Sequence, residues 1–241
     1  MKTPPSPAEQ IRAHLAQVTH LRALACDSPV QQAVREVKVL QARRFEVTYG
    51  DLMRDPRFAP ATRFFLDELY GDHDFQRRDA QFARIAGAIE RLFPAPVAQL
   101  AVNMAELHAL TEQLDATLAG HWAASPQLPP AARYVHAWRQ TGQRAQRQQQ
   151  LQVVLHMGRE LQQLTRKTSV RLALRMMRGA AQAAGLGALQ GFLEEGFDAF
   201  GQMDRHTGAF LAAVAERETG WMDTLFDAPG AADSLAEQIG P

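Results

Sequence analysis

Between Val97 and Leu118 one apolar series recurs three and four residues apart: Val97, Leu100, Met104, Leu107, Thr111, Leu114 and Leu118. That spacing puts every member on one face of an α-helix and marks the seam of a bundle helix, which other helices must cover along its length. The rest of the chain offers it no sheet to pack on. β-Branched residues are sparse, no alternating apolar and polar run is sustained, and Ala, Leu, Gln, Glu and Arg dominate. The fold class is therefore all-α. With 241 residues, 46% of them hydrophobic, the chain can bury a substantial core, and the reading is a single compact bundle of about eight to ten helices.

Caps and breakers place the other helices. Ser6-Pro7 opens the first, which ends near Cys26, and Ser28-Pro29 supplies an N-cap with proline at the first helical position for the second. Along the second helix the inward stripe is Val30, Ala33, Val37, Leu40, Arg44 and Val47, so Arg44 stands where an apolar residue belongs. Two prolines in 55–60 break the chain before a third helix that runs to Tyr70-Gly71, and Asp74 caps a fourth that runs to Pro94. After the seam helix, 120–130 reads as the clearest loop and the candidate internal boundary. Residues 130–167 are helical in pattern, but unbroken they would extend about 57 Å, beyond the roughly 45 Å diameter of a compact chain this size, so a break is expected near Thr141-Gly142. Three more helices follow, from Ser169, Leu189 and Phe210. Residues 1–228 are read as one domain and 229–241 as a flexible tail.

Charge excludes some function classes. Acids and bases balance at 26 each, which gives no whole-molecule attraction to nucleic acid or to an anionic membrane. Locally, 133–178 is strongly basic and 186–241 strongly acidic, which reads as two segments lying near each other. A polyanion-binding surface on 133–178 is the alternative. The single cysteine, Cys26, rules out an internal disulfide, no stretch resembles a secretory leader, and no run approaches the ~18 apolar residues of a membrane span. A cytoplasmic protein with no membrane association is expected.

The densest stretch is the corner Arg63–Asp79, RFFLDELYGDHDFQRRD. Phe65, Leu66 and Leu69 share one side of their helix. Phe64 lies opposite, beside Asp67 and Glu68. If Phe64 is buried, those carboxylates are drawn inward with it. On the next helix, Arg78 and Asp79 fall on the inward face. A semi-buried ionic cluster of Arg44, Asp67, Glu68, Arg78 and Asp79 is expected, with Tyr70 as a hydrogen-bonding neighbour. Such a cluster braces two helices, or it forms the wall of a site.

The string FFLDELYG, the Asp74-Phe75 pair and the RRD at 77–79 resemble the signature of a family of uncharacterised all-helical proteins of Proteobacteria. The resemblance extends through GLGALQGFLEEGFDAF at 185–200 and RETGWMDTLF in the last helix. It implies an all-helical domain and brings no activity, cofactor or catalytic residue with it.

Other chemistry has thin support. His108 with Glu112, and His156 with Glu160, stand four residues apart on separate helices and are the only metal-ligand candidates, but the Glu-x-x-His motif of di-iron bundles is missing. There is no Gly-x-Ser-x-Gly elbow, no phosphate-binding glycine loop after a strand, and no activating pattern around Cys26. Glu218 sits in the apolar stripe of the last helix, and an arginine of the basic segment is its expected partner. The reading is a non-catalytic protein that needs no cofactor and acts by binding a protein partner or a second copy of itself. The alternative is a bundle enzyme or ligand carrier with its pocket at the charged corner.

Overall fold

The capping signals act close to where they stand in the sequence. Ser6 and Glu9 form a reciprocal capping box at the start of α1 (Pro7–Ala25). Pro29 sits in the first turn of α2 (Pro29–Thr48). The Ser28 side chain does not cap that helix, because its hydroxyl donates back to the Ala25 carbonyl at 2.7 Å. This architecture comes from a computed structural model describing residues 4–26, 28–70, 75–92, 95–183 and 187–239, apart from the side chains of 68–70, 75–78, 92, 180–181, 187–189 and 192. Among the described residues every regular element is helical.

The short helix α3 (Gly50–Arg54) ends at Asp55, whose carboxylate accepts from the Arg57 amide, and the chain turns into α4 (Ala59–Tyr70). Then come α5 (Phe75–Leu92) and α6 (Ala95–Ala123). Helix α6 outruns the expected loop boundary near residue 120, because Trp122 is still buried against the core and its burial extends the last turn. Between α7 (Pro130–Thr141) and α8 (Arg144–Thr165) the expected break is made by positive φ at Gly142 and Gln143, +61° and +55°. The remaining helices are α9 (Thr168–Ala183), α10 (Gly187–Met203), α11 (Thr207–Asp227) after a single tight turn at Asp204–His206, and α12 (Ala231–Ile239).

The last of these replaces the expected flexible tail. Leu235 and Ala231 are fully buried and Ile239 nearly so, packed with α2 and α7. A nine-residue helix is marginal alone, and this one exists because tertiary packing supplies what its length cannot.

Helix α6 is the axis: α1, α2, α5, α7 and α8 all pack on it. Its seam residues are shared among three apolar clusters. One joins α1, α5 and α6; one joins α2, α6, α7, α11 and α12; the third draws on α2, α3, α4, α6, α8, α9, α10 and α11 and is rich in aromatic rings. In the third, Phe65 meets Phe200 and Phe210 at centroid distances of 6.0 and 5.7 Å, and Phe210 meets Phe58 at 6.1 Å. The close approach of α8 to α11 depends on Gly158, where an added Cβ would stand 2.5 Å from Leu211 Cδ2. Among the described residues no helix is long and apolar enough to cross a membrane.

Candidate functional site

The expected ionic cluster divides in two. Arg44, buried on α2, faces Glu218 on α11 with two parallel bonds of 3.0 Å, and the Tyr49 hydroxyl donates to the same carboxylate at 2.8 Å. The partner of Glu218 is thus an arginine of α2, not one of the basic segment. Both residues stand in apolar stripes of helices that meet only in the folded chain, which is why the sequence assigned each of them a different partner. Asp79 is also buried, but in a separate network between α1, α5 and α6. There it accepts from Arg22 Nη1 at 2.8 Å and stands 2.9 Å from His108 Nε2. Asp67 is exposed, contrary to expectation. Phe64 packs near Gly196 of α10 while only half-buried, so the carboxylate three residues on stays in water. Glu68, Tyr70 and Arg78 were expected here too, and their side chains lie outside the described residues.

The Asp79 side of α6 is a network of ion pairs. Arg22 bridges Asp79 to Glu112, and Lys38 reaches Glu112 at 2.7 Å. Burial opposes ionisation of Glu112, but Lys38 and Arg22 outweigh it and hold the carboxyl below its ordinary range. His108 and Glu112 are therefore engaged by cations and by Asp79 rather than aimed at a shared point. His156 is exposed and Glu160 half-buried on α8. Among the described residues no three His, Cys, Asp or Glu side chains converge.

The basic and acidic segments do meet. Arg144 pairs with Asp223 and Asp227, and Arg178 with Glu194, while Arg139 donates to the carbonyls of Leu225 and Ala228. These contacts are largely exposed, so each contributes little to stability.

A cavity of about 100 Å³ opens between α2, α6, α7, α8 and α11. Phe45, Leu107, Leu151, Val154, Val214, Met222 and Leu225 form its apolar walls, and Phe65, from the FFLDELYG string, contributes an aromatic face. Its polar lining includes the Arg44 and Glu218 pair, Tyr49, Tyr134, Trp138, Arg147, Gln150 and Thr111. Most of these groups are mutually bonded: Gln150 donates to the Thr111 hydroxyl at 2.7 Å, and Tyr134 accepts from Gln41 at 3.3 Å. Two donors are not. Arg147 Nη2 and Trp138 Nε1 are buried without a hydrogen-bond partner. The other tryptophan indoles are satisfied, Trp122 by Glu36 and Trp221 by Thr48.

Arg147 is 6% exposed and stacks on Trp138, its Cζ 4.3 Å from the ring centroid. Its Nη1 donates to Gln150 at 3.3 Å and stands 4.0 Å from Asp115, which also accepts from Gln41. Burial pushes the Asp115 carboxyl up from its ordinary value, against the opposing pull of Arg147 and Lys38. The guanidinium is thus a buried cation whose nearest carboxylate is at the limit of a salt bridge. Of the described lining residues only Glu218 carries a carboxylate, and three donors already occupy it.

Sequence reasoning did not single out Arg147, Gln41 or Asp115. A signal for Arg147 was present: it heads the series Arg147, Leu151, Val154, Gly158 and Leu161, and so occupies an inward position like Arg44. Asp115 belongs to a second line along α6, with His108, Glu112, Ala119 and Trp122. The biased Gln/Arg composition of 143–152 masked the first, and the dominant seam of α6 masked the second.

The protein family described as "Domain of unknown function (DUF8198)" matches residues 20–231, and the chain belongs to that family. No curated protein and no solved structure matches it.

Proposed function

We propose that this chain, as a member of the family to which residues 20–231 assign it, works by binding, with a small molecule as occupant of the cavity between α2, α6, α7, α8 and α11. The cavity itself carries this reading. It is a recess of about 100 Å³ among the core helices, lined mostly by apolar and aromatic side chains with a few polar groups, which is the form that small-molecule sites take. The one carboxylate among the described lining residues, Glu218, is already held by three donors, which favours a carrier or sensor over an enzyme. The occupant is therefore a small molecule instead of the protein partner or second copy that composition alone suggested.

The same reading places the protein in the bacterial cytoplasm and treats residues 1–228, extended by α12, as one folding unit. It gives the FFLDELYG string a task as the family's mark: Phe65 forms cavity wall while its neighbours seat α4 on α10.

The test is native mass spectrometry of protein purified gently from its natural host, compared with Val154→Phe, which fills the cavity. A small molecule released on unfolding from the parent and absent from the variant is the expected result. Identical bare masses for both, with no small molecule raising the parent's melting temperature above the variant's, would overturn the reading.

A further inference from the structure

The wall of this cavity holds two donors buried behind its accessible surface and one charge that Asp115 compensates only weakly. Arg147 Nη2 and Trp138 Nε1 both belong to cavity-lining side chains, both are buried, and both lack a partner. Leaving a buried donor unsatisfied is costly, more so when the group is charged, and native interiors rarely tolerate it without a function. The 4.3 Å stack of the guanidinium on the indole holds the two groups side by side. A planar guanidinium edge next to an indole N–H suits a two-oxygen acceptor better than a single carbonyl or hydroxyl. Elsewhere the walls are aliphatic and aromatic, with Leu151, Val154, Val214 and Met222 available to an apolar body. The Arg44 side of the cavity is already neutralised by Glu218, so no second anionic group is invited there.

We infer that the cavity binds a compact monocarboxylate toward which the Arg147 and Trp138 side chains turn their buried donors, its two oxygens on that pair and its short hydrocarbon tail against the aliphatic wall. This rests on the ligand-binding reading above and names its chemistry. Size limits the tail: the volume of about 100 Å³ is smaller than the roughly 150 Å³ of an engineered cavity that admits benzene. The tail is therefore short, about three or four carbons beyond the carboxyl carbon, as in butyrate and isovalerate. The carboxylate supplies the counter-charge that Asp115, 4.0 Å from Arg147 Nη1, provides only weakly.

The experiment uses butyrate and isovalerate as probes, with butyramide and 1-butanol as neutral counterparts at constant ionic strength. Titrations are followed by calorimetry and by the indole N–H resonances, of which the three tryptophans give three. The Trp138 resonance is identified by its loss in Trp138→Phe, a variant that keeps an aromatic face and removes the donor. Butyrate or isovalerate is expected to bind and to move the Trp138 resonance downfield, and the affinity to fall about tenfold or more in Arg147→Met. Trp138→Phe is expected to weaken binding by a few-fold, as for the loss of one hydrogen bond. If butyramide and 1-butanol bind as tightly as the acids, the carboxylate assignment is overturned and the cavity remains a small-molecule site. If neither the acids nor their neutral counterparts bind and the indole resonance stays fixed, the monocarboxylate assignment falls, and the mass-spectrometric comparison above decides the broader reading.

Discussion

Arg44 and Glu218, 174 residues apart, are joined by two parallel hydrogen bonds of 3.0 Å between helices α2 and α11. Arg44 is buried and Glu218 about a fifth exposed, so the pair is only partly screened by solvent. Arg44→Met strands the carboxylate, leaving it the Tyr49 hydroxyl, and is expected to destabilise by about 3 kcal/mol, the low end for breaking a buried pair. In a chain this long that lowers the melting temperature by roughly 6–12 °C. The double variant Arg44→Met/Glu218→Leu should recover part of the loss, because it leaves no unpaired charge behind. A double variant as unstable as the sum of the singles would show the pair contributes nothing as a unit.

Gly158 and Gly220 should respond to alanine in opposite directions. At Gly158 the new methyl collides with Leu211 at 2.5 Å, and overpacking is expected to cost about 1–3 kcal/mol. At Gly220, inside α11, a Cβ meets nothing within 4 Å, so helix propensity alone operates and alanine should stabilise by up to about 1 kcal/mol. Denaturant melts of the two variants side by side check both signs.

Asp115→Asn tests the buried network behind Arg147. Burial raises the carboxyl's folded-state ionisation above its unfolded value. Above the ordinary carboxylate range the unfolded chain then holds fewer protons than the folded one, and stability from this group declines as pH rises through the raised value. Asparagine keeps an acceptor for Gln41 and removes the titration. The variant is expected to melt higher than the parent near pH 7, by about 2–4 °C for each kcal/mol relieved, with the difference shrinking toward about pH 4. A variant less stable at neutral pH would show that the carboxylate is ionised and held by Arg147.

Leu235→Ala tests whether the last helix belongs to the core. Leu235 is fully buried in the cluster shared by α2, α6, α7, α11 and α12. Truncating a leucine at such a site typically costs about 2–5 kcal/mol. Amide exchange should become faster in α7 and α2, on which α12 packs. An unaffected melting temperature would return residues 231–239 to the status of a dispensable tail.

The helix-by-helix organisation was legible because caps, breakers and three-four spacing act over a few residues. Ser6, the prolines at 29 and 130, and the turn at Gly142 all stand where the chain changes direction. That Arg44 and Asp79 turn inward was legible for the same reason. Their partners were not, since Glu218 and Arg22 reach them only after α11 and α1 dock. The corner illustrates the limit: burial of Phe64 did not carry Asp67 with it, because a helix edge three residues on can rotate into water when the aromatic is only half covered.

The amino-acid sequence by itself determined an all-helical chain, the inward faces of its helices and the presence of ionised groups on those faces, since each follows from local spacing. Only the tertiary structure decided which charges pair, that the last residues form core, and that Arg147 and Trp138 meet at a cavity with donors to spare. A cavity is a mismatch between surfaces that separate helices bring together, and neither its place nor its lining is contained in the periodicity of any one of them.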